Sequence, residues 1–219
     1  DGYVVFVAGA VPGDTVKARV FKKRKKFAEA TLLEVVTPSP LRTEAKCAYF
    51  LTCGGCKWQH VNYESQLEAK TQSVRDAFEH HGGFDSVQVE NTLGTDNTYY
   101  YRNKMEFSFS SGRWLTPTEI SSDEKFDTSF ALGLHVPGNW AKVLDLSECH
   151  LQSELSAELV NAVRTLSLEN GWKPWDTRRH VGYLRHLVIR QSTKMPEMMV
   201  NLVTSYVDTE RMALFAEFL

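Results

Sequence analysis

The stretch Cys47-Ala48-Tyr49-Phe50-Leu51-Thr52-Cys53-Gly54-Gly55-Cys56 holds three of the chain's four cysteines in a C-x5-C-x2-C spacing. The fourth, Cys149, follows after 92 intervening residues. Thiolates ligate zinc and iron–sulfur clusters alike. Gly54 and Gly55 suit a tight ligand loop, where the backbone needs unrestricted φ and amides can reach sulfur. Structural zinc usually shows two paired knuckles, and here only Cys53 and Cys56 form a pair. A disulfide framework suits small secreted scaffolds better than a chain able to build its own core. Unconnected buried cysteines would rarely gather three in ten residues. The pattern reads best as a [4Fe–4S] centre held by Cys47, Cys53, Cys56 and Cys149, with zinc as the alternative. It does not match the C-x3-C-x2-C spacing of radical enzymes that cleave S-adenosylmethionine.

On the N-terminal side, Pro38-Ser39-Pro40 breaks a strand pattern and marks the best boundary in the chain. Before it, Tyr3–Ala8, Thr15–Phe21 and Phe27–Val36 are rich in Val, Phe and Thr, with a turn at Val11-Pro12-Gly13-Asp14. Residues 1–46 therefore read as a small antiparallel β module. Nine Lys or Arg against five Asp or Glu fall in it, which leaves −6 of the total charge of −2 for residues 47–219. The basic excess peaks in Lys22-Lys23-Arg24-Lys25-Lys26, between Phe21 and Phe27. Such a run is either a solvated hairpin tip or a phosphate-binding edge.

On the C-terminal side, Tyr63, Leu67, Val74 and Phe78 recur at helical spacing, so a helix is expected from about 63 to 81 with Gly82-Gly83 as its stop. Residues 99–150 read as strands: Met105, Phe107 and Phe109 alternate with polar residues, as do Phe130, Leu132, Leu134 and Val136. A second helix is expected over about 153–170, with Leu155, Leu159, Val163 and Leu166 on its apolar face. Strands at 184–191 and 198–205 and a helix capped by Asp208 follow. The order predicts a β domain, 1–46, and an α+β domain, 47–219. A length of 219 residues accommodates both. With 42% hydrophobic and 24% charged residues, disorder and fibrous repeats are excluded. No apolar run is long enough to span a bilayer, and nothing resembles a signal peptide. A cytoplasmic protein with no membrane or obligate protein partner is expected.

Several of these segments together resemble the RNA uracil-5 methyltransferases. The residues concerned are Cys47-Ala48-Tyr49-Phe50, Cys53-Gly54-Gly55-Cys56-Lys57-Trp58-Gln59-His60 and Tyr63-Glu64-Ser65-Gln66-Leu67-Glu68-Ala69-Lys70. The likeness continues through Tyr101-Arg102-Asn103-Lys104, Gly133-Leu134-His135, Val143-Leu144-Asp145 and Leu184-Arg185-His186-Leu187-Val188-Ile189-Arg190. It is strongest to the bacterial 23S rRNA enzymes that carry an iron–sulfur cluster (RumA-like). The basic module resembles the TRAM domain, an OB-like RNA-binding barrel.

The resemblance implies methylation of uridine C5 in RNA, 23S rRNA first and tRNA second, with S-adenosylmethionine as donor. C5 is a poor nucleophile, so a thiolate adds at C6, the enolate takes the methyl group, and a base removes the C5 proton. The target base must leave its stack. In such enzymes these groups belong to a Rossmann-like domain. Here no glycine-rich dinucleotide loop follows a strand, all four cysteines fall in the cluster pattern, and the last helix reads as cut short. The expectation is thus a TRAM-like and cluster-binding portion without the catalytic domain and inactive alone, the alternative being a non-catalytic RNA-binding adaptor. No residue is assigned to catalysis or to S-adenosylmethionine. Lys22, Lys23, Arg24, Lys25 and Lys26 are assigned to RNA phosphates. Arg102 and Lys104 meet either phosphate or Glu106. Trp58 and Tyr63 either stack on bases or pack beneath the cysteine loop.

Overall fold

The computed structural model describes residues 2–219, so Asp1, counted among the acidic residues of the first module, lies outside the described residues. The chain divides into two units, one of Asp1–Ala48 and Lys57–Thr98, the other of Tyr49–Cys56 and Tyr99–Leu219. This division does not follow the expected one at residue 46. The boundary expected at Pro38-Ser39-Pro40 lies inside the first unit, where Ser39 is buried and its N–H is donated to Asp14 Oδ1 at 2.9 Å.

The first unit contains β1 (Val4–Ala8), β2 (Thr15–Lys23) and β3 (Phe27–Thr37), in the order β1-β3-β2. β2 and β3 form the expected antiparallel hairpin across the basic turn, closed by Arg24 N–H to Phe27 O at 2.8 Å. β1 pairs parallel to β3, Val4 opposite Phe27 through Ala8 opposite Thr31. The expected antiparallel barrel is therefore corrected to a mixed three-stranded sheet. The turn at Val11–Asp14 makes no hairpin, because it carries the chain across β3 to the far edge. Gly13, at φ +92°, permits that turn.

Asp14 fastens this crossing. Its carboxylate accepts from Val11 N–H (2.6 Å), Ser39 N–H (2.9 Å) and both Nε and Nη2 of Arg42 (2.8 and 2.6 Å). With its side chain 1% exposed, Asp14 is held by the Arg42 guanidinium well below the usual carboxylate range. α1 (Tyr63–Asp76) starts at Asn62, whose Oδ1 caps Ser65 N–H at 2.9 Å, and runs into a π-helical turn, Ala77–His81.

The second unit is a six-stranded sheet in the order β5-β7-β6-β4-β8-β9. Its strands are β4 (Lys104–Ser110), β5 (Arg113–Trp114), β6 (Ala131–Val136), β7 (Asn139–Asp145), β8 (Leu184–Gln191) and β9 (Met198–Thr204). All neighbours are antiparallel except β5 and β7. The helices are α2 (Pro117–Ser121), α3 (Glu154–Glu169) and α4 (Thr209–Phe218). One sheet face supplies Met105, Phe107, Phe109, Leu132, Leu187 and Ile189 to a core that includes Val160, Val163 and Leu166 of α3. Three residues of the expected apolar face of α3 meet the core, Val163 and Leu166 buried in it and Leu159 packed against it; Leu155 is exposed instead, and the face extends over Ser156, Val160 and Ser167. Two hydroxyls can face the core because each is bonded inside it, Ser156 to Gln152 Oε1 (2.6 Å) and Ser167 to Val163 O (2.7 Å). α2, read from sequence as part of a strand region, is set by a reciprocal capping box between Thr116 and Glu119.

Candidate functional site

The cysteine loop is built onto the β6–β7 hairpin. Tyr49 Oη is 2.8 Å from Ser147 Oγ and accepts Ser147 N–H at 3.2 Å, anchoring the start of the loop. Gly54 N–H donates to His135 O at 3.1 Å, and a Cβ on Gly54 would lie 2.7 Å from that oxygen. Close backbone approach, rather than a positive φ, is what requires glycine here.

All four cysteines are free thiols of intermediate exposure. Gly55 N–H donates to Cys53 Sγ at 3.3 Å, the kind of hydrogen bond a ligating thiolate takes. Cys56 and Cys149 pack against the same apolar core, while Cys53 packs near Val136, Leu144 and Leu146. Burial pushes the Cys149 thiol up, and the charge of Arg102 opposes it. Cys47 belongs to the other unit, where its N–H donates to Gln59 Oε1 at 3.1 Å. The donor chemistry suits thiolate ligation. Among the described residues, however, no three His, Cys, Asp or Glu side chains are gathered closely enough to hold a metal ion.

The basic run occupies the end of β2 and the turn into β3, with all five side chains exposed. Lys22 Nζ is paired with Glu29 at 2.6 Å, and the Tyr3 hydroxyl, 2.7 Å from both Arg24 O and Phe27 O, braces the turn. Arg102 is drawn toward the cysteines: its N–H donates to Leu151 O at 2.8 Å, two residues past Cys149. Lys104 Nζ lies 3.8 Å from Glu106, with both side chains about half exposed. The Tyr63 hydroxyl accepts Thr95 N–H at 3.1 Å. Gln66 Nε2 donates to Trp58 O (3.1 Å) and Val61 O (2.8 Å), so the Y-x2-Q part of the motif holds the segment leading into α1.

Sequence reasoning missed a groove of about 420 Å³ on the sheet face opposite α3. Ser108, His135 and His186 contribute to its lining, and Ser108 Oγ lies 3.0 Å from His135 Nε2 and 3.4 Å from His186 Nδ1. Burial holds His186 below the usual imidazole value, with Glu106 3.7 Å away opposing it. Trp140 and Lys142 of β7, Trp175 through Arg178 and Arg185 also line it. The signal was the interleaving in Trp140-Ala141-Lys142 and Trp175-Asp176-Thr177-Arg178-Arg179.

Comparison with known proteins places these features. Residues 1–33 match the TRAM domain model. The chain is 43% identical over 219 residues to an uncharacterised RNA methyltransferase of Chlorobaculum tepidum, covering 99% of this chain and 45% of that protein. It is 40% identical over 208 residues to one of Porphyromonas gingivalis, covering 93% of this chain and 44% of that protein. This chain is similar along nearly its whole length to proteins named RNA methyltransferase. It spans about half the length of the curated relatives it matches. Among solved structures it resembles the Pyrococcus abyssi tRNA (uracil-54, C5)-methyltransferase in complex with S-adenosyl-L-homocysteine. There the TM-score is 0.63 at 26% identity, over 93% of this chain and 42% of that one.

These matches overturn two expectations. The chain was expected to be a non-catalytic portion lacking its Rossmann-like domain, or else an adaptor. Instead nearly all of it aligns with proteins named as methyltransferases, one of them solved with the demethylated donor. The expected inactivity rested on the missing glycine-rich loop, on four cysteines committed to the cluster pattern and on a last helix read as cut short, and these matches do not support it. Among the described residues, no helix is long and apolar enough to cross a membrane.

Proposed function

We propose that the protein carrying this chain is an S-adenosylmethionine-dependent RNA (uracil-5-)-methyltransferase of the cytoplasm. The observation that carries this reading is the 43% identity over 99% of the chain to a protein named RNA methyltransferase. The TRAM match and the solved uracil-C5 enzyme agree with it. S-adenosylmethionine supplies an electrophilic methyl group. Lys22, Lys23, Arg24, Lys25 and Lys26 supply the exposed cationic edge that an RNA backbone requires.

Cys47, Cys53, Cys56 and Cys149 are proposed to hold a [4Fe–4S] cluster with a structural role, tying the 47–56 loop to the segment after β7. Support comes from four free thiols, the Gly55 N–H to Cys53 Sγ bond and the shared apolar packing of Cys56 and Cys149. Arg102 is proposed to serve this cysteine region rather than phosphate. The four-cysteine pattern favours a 23S rRNA substrate. A tRNA substrate is the second reading, favoured by the solved neighbour's own substrate.

Incubation with methyl-labelled S-adenosylmethionine and either unmodified rRNA or tRNA tests the proposal. Label is expected in 5-methyluridine of one of them. Label on another base, or on neither RNA, would refute it.

A further inference from the structure

The groove on the open sheet face is unlike the unit around it. Residues 47–219 carry net −6, yet Lys142, Arg178 and Arg185 line the groove together with a single acid, Asp176. That acid is already committed. Its carboxylate accepts Arg178 N–H (2.8 Å) and Arg179 N–H (3.0 Å), and Ser111 bonds to it as well. Those bonds keep Asp176 ionised, and the lining still carries three cations against that one anion.

Two indoles stand at the same groove. Trp140 is 72% exposed, an unusual state for a tryptophan on a folded surface. Trp175 lies under Arg185, whose guanidinium carbon is 5.2 Å from the ring centroid. Between them the floor offers hydrogen-bonding edges from Ser108, His135 and His186. The hairpin that carries Trp140 is fixed from behind by the Gly54 N–H to His135 O bond, so one wall is preformed. The volume lies in the range of ligand sites, about 300–1,000 Å³.

Aromatic faces interleaved with cations, above a polar floor, suit a nucleic-acid strand whose bases are unstacked. We propose that this groove is a second RNA-binding surface, separate in sequence from the basic run of β2, and that it takes a single-stranded segment with a base stacked on Trp140 and phosphates on Lys142 and Arg178. The inference rests on the RNA reading above and deepens it. It makes the enzyme select an opened loop rather than a regular duplex.

The test uses the full chain and a fluorescein-labelled single-stranded RNA 12-mer of mixed sequence, followed by anisotropy, with the same strand in a duplex and uridine monophosphate as competitors. Trp140 is exposed, so W140A should leave the melting temperature unchanged. It should weaken single-strand binding about 5- to 100-fold, the range for removal of one base–aromatic stack. W140F should restore most of it. K142A and R178A should each reduce the slope of log affinity against log salt by roughly 0.7.

Single-strand affinity unchanged in W140A and R178A would overturn the groove and leave the methyltransferase reading standing. Uridine monophosphate binding as tightly as the 12-mer would likewise overturn it, by making this a small-molecule site. No binding of any RNA by the unsubstituted chain would remove both.

Discussion

Arg42→Ala should unlock the first unit. Arg42 reaches Asp14 with two nitrogens, at 2.8 and 2.6 Å, and also donates from Nη2 to Gly9 O at 2.8 Å. In the variant Asp14, 1% exposed beneath Arg42 in the intact protein, is left with only the N–H groups of Val11 and Ser39 as donors. Removing one partner of a buried pair costs roughly 3–5 kcal/mol. Charge repulsion plays no part in this; the cost is that of burying an uncompensated anion. Hydrogen exchange of the β3 amides, around the buried Ala28 and Ala30, reads the effect directly. Exchange through opening of this unit should accelerate roughly a hundred- to several-thousand-fold.

The pH dependence has a definite sign. Asp14 titrates below its unfolded value, so the pair's stabilisation is complete above about pH 3.9 and is lost as pH falls through the lower folded value. In R42A that acid dependence should shrink. D14N/R42M removes both charges and should be more stable than R42A alone. An acceleration below about fivefold in R42A, or a double variant no better than the single one, would refute the reasoning.

Other consequences are checked more briefly. Gly54→Ala puts a Cβ 2.7 Å from His135 O, so the hairpin must shift, and a loss of about 1–3 kcal/mol should appear as a lower melting temperature. Cys149→Ser should abolish the iron and sulfide recovered after anaerobic purification, and unchanged iron content would remove Cys149 as a ligand. Replacing Lys23, Lys25 and Lys26 by Gln should flatten the salt dependence of RNA affinity by roughly 0.7 for each phosphate no longer neutralised. Burial, reinforced by the charge of Arg42, holds His60 below the usual imidazole value. The folded state thus stays neutral where the unfolded chain is protonated, and the first unit should lose stability as pH drops below about 6.5. H60Q should abolish that loss in urea titrations at pH 7.5 and 5.5.

Features written in local chemistry were legible in the sequence. α1 begins at the Asn62 cap, α3 begins at Ser153 and is closed by Gly171 at φ +62°, and the alternation of Met105, Phe107 and Phe109 marks one face of β4. What depended on distant partners was not. The crossing that follows the parallel β1–β3 pair is fastened by Asp14 and Arg42, 28 residues apart. The 49–56 segment joins the second unit through Tyr49 to Ser147 and Gly54 to His135, neither visible as spacing. The face of α3 was legible in Leu159, Val163 and Leu166, but its extension over Ser156 and Ser167 was not, because their hydroxyls look polar and are satisfied inside the core. The groove was not legible, because β7 and the segment before β8 meet only in the folded sheet.

Methylation at C5 must expel the C5 proton, so tritium release reports the central claim directly. With RNA carrying [5-³H]uridine and S-adenosylmethionine, the protein carrying this chain should release tritium in step with methyl transfer, one for one. Methyl transfer without tritium release, or RNA binding with neither, would contradict the account.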